Sequence, residues 1–359
     1  MKGKLRVALI GPVPPPAGGI ASWTLRMLRS KFASQWVDFV HIDESVTAGR
    51  EIYGARTKKS LRQELRRCRR IWRNLEFVLK EGNVDVVHAN IPAAPLSMLR
   101  ETVCAAIANK YGVPFIIHFR CTVPNYATNW MTRWLLNGLL ARAQAAIVLN
   151  SASKEYLDKI NNIHSYLIPN FVSTDEFVVA QEKRQLYEGP LRTVLYTGGI
   201  IESKGAFDIP NLARELPEVQ FRLAGNGEFP EGIVVPENVE LLGQLNRDAI
   251  LEEYKNADAF LFLTRFKGEG FSNSLVEAMG FGLPCIVSDW AANVDMIEPD
   301  GGITVDYHNS RDVVRALKLL EDPMLRHRMG TANQEKAMNC YSETAVIAQY
   351  IELYRKVAS

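Results

Sequence analysis

The chain of 359 residues is long enough for about two domains, each burying its own core. With 47% hydrophobic and 23% charged residues it reads as a soluble globular protein, and its five scattered cysteines, without CxxC spacing, exclude a disulfide framework and a zinc site and fit a reduced cytosolic compartment. The net charge of +2 hides an imbalance: residues 1–150 hold 22 Lys and Arg against 9 Asp and Glu, and the remainder 20 against 31, so the first half is drawn to anionic surfaces.

In chain order, Met1-Lys-Gly-Lys-Leu-Arg6 shows no cleavage-site pattern of a secretory signal. The apolar run Leu5–Ile10 reads as a buried strand, followed by Gly11-Pro-Val-Pro-Pro-Pro-Ala-Gly18-Gly19 and a helix. Paired glycines there either form a tight turn or let backbone amides approach a phosphate or sugar. No GxGxxG spacing is present, which argues against a dinucleotide site. Residues Thr57 to Glu81 predict a helix with Leu61, Leu65, Cys68, Trp72, Leu75 and Leu79 on one stripe. Eight Lys and Arg between Lys58 and Arg73 cover the rest, which reads as a solvated face or as a dock for an anionic membrane surface. No binding fold or aromatic platform supports nucleic acid as a partner.

Val84–His88, Pro114–Ile117 and Ala145–Leu149 are the remaining strands expected in the first half. His118 and Arg120 follow the third strand, with His118 placed at its carboxyl end. Trp134–Leu149 is too interrupted, by Asn137, Arg142 and Gln144, to span a bilayer. The polar segment Ser173–Pro190 reads as a linker. Beyond it, Thr193–Tyr196, Gln220–Ala224, Val239–Leu242, Ala259–Leu263 and Cys285–Val287 are expected strands. Strands of continuous apolar character alternating with helices predict parallel sheets covered on both faces. Gly198-Gly199-Ile-Ile-Glu-Ser-Lys204-Gly205 follows the first strand of this half, and Gly225-Asn226-Gly227 the second. Arg265 and then Glu269-Gly270-Phe271-Ser272-Asn273 follow the fourth. Ser272 or Asn273 can N-cap a helix that carries Glu277, making a helix start suited to a phosphate.

The segment Glu269-Gly-Phe-Ser-Asn-Ser-Leu-Val-Glu277-Ala-Met, with Gly282-Leu-Pro284 behind it, resembles the Glu-x7-Glu signature of retaining glycosyltransferases of family four. Ile168-Pro169-Asn170, Gly18-Gly19, Lys204-Gly205 and Gly301–Val305 fall in register with the same family. The resemblance covers most of residues 5–20 and 114–340. It implies a GT-B fold, two Rossmann-like domains with parallel sheets facing across a central cleft: residues 1–172, with a C-terminal helix at about 342–359 packed back on them, and residues 173–341.

The resemblance further implies a donor nucleotide-diphosphate sugar, UDP-sugar favoured, with no cofactor. No Asp-x-Asp motif is present, so no metal is expected. Glu277 is expected to hold the ribose, Glu269 and His118 the donor sugar, and Lys204 the diphosphate. Gly18, Gly19, Gly198, Gly199, Asn226, Arg265, Gly270, Phe271, Ser272 and Asn273 complete the expected donor site. Gly199 stands where the family carries an arginine, leaving Arg265 or Arg120 as substitutes. The expected acceptor is a saccharide or lipid-linked saccharide in surface-polysaccharide assembly, on the cytoplasmic face of the inner membrane. A nucleotide-sugar epimerase of related fold and a non-catalytic nucleotide-sugar-binding protein remain open alternatives.

Overall fold

The computed structural model describes residues 3–15, 18–45, 60–172 and 188–359. They form two compact units, Met1–Asn170 with Glu343–Ser359, and Phe171–Ser342. The first three residues of the expected basic helix and most of the expected linker, 173–187, lie outside the described residues.

The first unit is built on six parallel strands: β1 (Leu5–Gly11), β2 (Val37–Asp43), β3 (Val86–Ile91), β4 (Phe115–Phe119), β5 (Ala145–Val148) and β6 (His164–Leu167). Their order is β2-β1-β3-β4-β5-β6. Five helices follow these strands, α1 (Gly19–Arg29), α2 (Leu61–Lys80), α3 (Pro95–Lys110), α4 (Trp130–Leu140) and α5 (Ser151–Ile160), and a sixth, α12 (Glu343–Ala358), joins after the second unit. β3, β4 and β5 are buried at every residue, because helices cover both faces. Alternation then sorts their side chains. Val87, Ala89, Phe115 and Ile117 share a core with Ile71 and Leu75 of α2, Met98 of α3 and Leu136 of α4. His88 and His118 take the other face, against Trp23 of α1 and Tyr350 of α12.

The second unit has the strands β7 (Thr193–Thr197), β8 (Gln220–Ala224), β9 (Val239–Gly243), β10 (Ala259–Phe262), β11 (Cys285–Ser288) and β12 (Gly302–Val305), all parallel, in the order β12-β11-β10-β7-β8-β9. Its helices are α6 (Ile209–Glu215), α7 (Arg247–Asn256), α8 (Asn273–Gly280), α9 (Asn293–Met296), α10 (Ser310–Leu319) and α11 (Pro323–Tyr341). Each sheet reverses its winding once, between β1 and β3 in the first unit and between β7 and β10 in the second. Such switch points open a crevice outside the carboxyl ends of the strands.

α2 departs from its expected stripe. Ile71, Leu75 and Leu79 are buried, whereas Leu65 faces solvent. Two of its arginines are tied inward. Arg67 Nε donates to the Glu44 carbonyl (2.6 Å) and Arg70 to that of Ser45 (2.6 Å). Glu44 itself is buried against Arg100, and burial pushes its carboxyl up to about 8 although the guanidiniums of Arg100 and Arg67 pull it down.

Candidate functional site

Beside the switch point of the second unit, the loops after β7 and β8 lie against each other. Gly198 N–H donates to the Ala224 carbonyl (2.9 Å) and Ile200 N–H to the Asn226 carbonyl (2.7 Å). A Cβ on Gly225 would stand 1.7 Å from the Gly198 carbonyl oxygen, so only glycine permits this approach. The Tyr196 hydroxyl, at the end of β7, donates to the Gly199 carbonyl (2.7 Å) and fixes the turn. Gly199 itself is not confined. A Cβ there would meet nothing closer than 3.9 Å.

The loop continues onto the β10 side, where the Arg265 N–H donates to the Ser203 carbonyl (2.8 Å). This places Lys204 Nζ 2.5 Å from Glu269 Oε2, above the rings of Phe266 (5.0 Å) and Phe262 (5.8 Å). Thr264 Oγ1 reaches the same carboxylate oxygen at 3.4 Å. Burial, and then the charge of Glu269, hold the Tyr196 phenol well above its ordinary range, so its hydroxyl stays a donor. Arg265 is occupied elsewhere: NH1 lies 2.7 Å from Asp208 Oδ2 and NH2 3.6 Å from Glu202 Oε1.

Ser272, rather than Asn273, caps α8, its Oγ accepting from Leu275 N–H at 3.3 Å. Gly270, Phe271 and Ser272 are buried in the turn, while Asn273 and Asn226 are half-buried. Glu277 lies one turn into α8, 7% exposed, with Oε1 3.1 Å from Arg247 NH1. Burial and then the Glu277 charge raise the phenol of Tyr254, whose hydroxyl meets Thr197 Oγ1 (2.8 Å). Arg247, Tyr196 and Tyr254 were missed in the sequence because no spacing ties them to the motif. Chemically, a cation over a carboxylate, a second carboxylate and a bare glycine loop can hold a phosphate and sugar hydroxyls.

In the first unit, Gly18 N-caps α1 in an extended conformation and Gly19 opens the helix. A Cβ on Gly19 would meet nothing within 4 Å, so neither backbone nor packing requires glycine there. His118 corrects its expectation. It lies inside β4, not beyond it, and is fully buried. Its Nε2 faces Arg120 NH1 at 3.1 Å and its Nδ1 faces His88 Nε2 at 3.2 Å. A guanidinium only donates, so His118 carries its proton on Nδ1 and donates to His88. His88 then donates from Nδ1 to the Tyr354 hydroxyl at 2.6 Å. Burial, reinforced by Arg120, lowers His88 to about 3 and His118 well below its ordinary value, so both rings are neutral. Both ring nitrogens are thus engaged within the unit, and the ring has no exposed surface. Arg120 also donates to Asn170 Oδ1 (2.6 Å), lies 4.9 Å from the Trp23 ring centre and is lowered by burial to about 10. That leaves neither Arg265 nor Arg120 as an idle stand-in for the missing arginine.

Residues 180–336 match the model of glycosyl transferases group 1, and residues 50–176 that of glycosyltransferase family 4. A phosphatidyl-myo-inositol mannosyltransferase of Propionibacterium freudenreichii is 24% identical over 268 residues, 71% of this chain and 66% of that one, just under two thirds of its length. Sucrose-phosphate synthase from Thermosynechococcus elongatus shares the fold with a TM-score of 0.75 at 17% identity, over 98% of this chain and 99% of its own. The Anabaena protein HepE, solved with UDP-glucose, does so with a TM-score of 0.69 at 14% identity, over 98% and 99%. Between them the two matches take in most of the chain, which belongs to the group 1, family 4 glycosyltransferases.

Proposed function

We propose that the chain is a retaining, metal-independent glycosyltransferase that moves the sugar of a nucleotide-diphosphate sugar onto a saccharide or lipid-linked saccharide, in the assembly of bacterial surface polysaccharide at the cytoplasmic face of the inner membrane. The observation that carries this reading is the Lys204–Glu269 pair beside Glu277 at the switch point of the second unit. Lys204 turns from Glu269 to the diphosphate as the glycosidic bond breaks, and charge building on the leaving group draws it there. Glu269, released, accepts from a donor-sugar hydroxyl. Glu277, whose Oε1 meets Arg247, accepts from the ribose hydroxyls. The Gly199 backbone can come close to the donor without a Cβ in the way.

UDP is the favoured nucleotide, since HepE, of the same fold, holds UDP-glucose. A lipid acceptor draws support from the mannosyltransferase that acts on phosphatidyl-myo-inositol. The outward arginines of α2, Arg62, Arg66, Arg69 and Arg73, would bring the enzyme to an anionic membrane. Independence from metal draws on the absence of an Asp-x-Asp motif from the sequence.

The test incubates the protein with UDP-, GDP- and other nucleotide sugars, with and without membrane extract, and follows nucleotide release. Release with one donor, undiminished by EDTA, and a product with the anomeric configuration of the donor by NMR are expected. Tight donor binding without release under any condition would overturn the reading in favour of a binding protein.

A further inference from the structure

α2, α3 and α4 each return from the carboxyl end of one strand to the start of the next along a parallel sheet, so their first turns share one end of the unit. α3 packs between the other two, and all three cover the same sheet face. At this shared end the large apolar side chains face outward: Trp130 is 81% and Trp134 67% exposed on α4, and Leu96 60% and Leu99 51% on α3. Single exposed apolar residues are ordinary, but two tryptophans and two leucines on the first turns of neighbouring helices are not.

The presentation is also rigid. Asn129 and Thr132 form a reciprocal capping box, with Asn129 Oδ1 accepting from Thr132 N–H at 3.0 Å and Asn129 N–H donating to Thr132 Oγ1 at 3.2 Å. Trp130 and Trp134, four residues apart, therefore stand on one side of a fixed helix start. Pro95 at the first position of α3 does the same for Leu96 and Leu99.

Charge selects the occupant. Residues 92–100 and 121–135 contain no Asp or Glu, and the adjoining outward face of α2 offers Arg62, Arg66, Arg69 and Arg73. The acid in the first turn of α2, Glu64, is engaged by Arg67 at 2.9 Å. Indole sits at a water–lipid boundary, apolar body inward and N–H in the headgroups, and arginines beside it meet anionic headgroups.

We propose that the first turns of α3 and α4 form an apolar anchor, led by Trp130 and Trp134, that inserts into the headgroup region of an anionic bilayer beside the arginines of α2. The inference rests on the membrane arm of the proposed function and adds what the basic face alone lacks. Arginines give reversible attraction that salt removes, whereas buried apolar area gives binding that salt leaves in place.

The test uses the full chain with vesicles of phosphatidylcholine alone or with phosphatidylglycerol. The wild type is expected to bind the mixed vesicles, to keep part of that binding near 1 M salt, and to have its tryptophan fluorescence quenched by brominated acyl chains. The double variant Trp130→Ser, Trp134→Ser should lose the salt-resistant part, bind at least about tenfold more weakly and escape quenching, at an unchanged melting temperature. Leu96→Ser with Leu99→Ser, on the other helix, should weaken binding in the same direction. Wild-type binding by the tryptophan variant, or an unquenched wild type, overturns the anchor. So does a shift from dimer to monomer in sedimentation with vesicle binding unaltered, which makes the patch a protein interface. Nucleotide release measured on the same samples separates the two claims: quenching without release removes the enzyme and leaves the anchor, and release without quenching does the reverse.

Discussion

Both units carry polar side chains near the switch point of a parallel sheet, and they treat them oppositely. In the second unit the groups are charged and paired, a partly exposed cation on a buried carboxylate: Lys204 on Glu269, Arg247 on Glu277. In the first unit His88, His118 and Tyr354 are neutral, fully buried and bonded in one direction starting from Arg120. A partly exposed cation can trade its carboxylate for a ligand, whereas a buried neutral chain holds the fold. A place near a strand end nominates a residue. Exposure and protonation decide what it does.

The largest effect that would break this contrast is acid. The folded unit holds His88 at about 3, against an ordinary 6.5, so the unfolded chain takes up the proton first. The stability from this neutral ring is complete above about pH 6.5 and is lost as pH falls toward 3, on the order of 4–5 kcal/mol in all. In denaturant melts from pH 7 to pH 4, His88→Gln should lose less stability on acidification than the wild type, the difference between the two isolating His88 from the opposing slopes of His118 and Glu44. The same slope in the variant and the wild type would place a protonated ring in the fold.

Next in size is Lys204→Ala. Removing a group that stabilises the leaving diphosphate should lower turnover about 10²–10³-fold, some 3–4 kcal/mol, while the melting temperature barely moves. A variant that melts several degrees lower, with its folded fraction fully active, would make Lys204 structural and erase the difference between the units. Glu277→Ala comes third. It should weaken nucleotide-sugar binding by about 1.5–3 kcal/mol in calorimetry, the range of a hydrogen bond to a charged group. An unchanged dissociation constant removes Glu277 from the donor site. The smallest effect is a gain. Gly199→Arg meets no close neighbour, and a guanidinium there should tighten donor binding by about 1 kcal/mol. Weaker binding would show that the bare loop is itself the feature the donor uses.

The central strands were legible because burial on both faces demands continuous apolar runs, as in Phe115-Ile-Ile and Ala259–Phe262. Of the four edge strands, β9 was expected and β2, β6 and β12 were not. β2 reads Val-Asp-Phe-Val-His-Ile-Asp, and an edge leaves room for such polar residues. His118 was placed one step too far along for a related reason: a histidine inside an apolar run looks like its end, and only Trp23, His88 and α12 reveal what buries it. The glutamate pair and Lys204 stood out through their register with a known signature. Arg247, which holds Glu277, comes from another helix, and nothing local announces it. On α2 the charge count was plain, but the division between Arg67 and Arg70, bound inward, and the outward arginines is a property of the folded neighbours alone.

The first unit encloses the second in sequence. The chain leaves it at Asn170 and returns at Glu343, and the second unit's own ends are adjacent, Val172 bridging Ser342 in parallel. Tyr350 and Tyr354, which complete the histidine face, therefore reach the ribosome exit only after the whole of Phe171–Ser342 has been translated. Domains made early usually close early during synthesis. Here the first half must wait, with Trp23, His88 and His118 uncovered, while the inserted half, contiguous and with neighbouring ends, is free to fold ahead of it. The order of folding on the ribosome then runs against the order of the sequence.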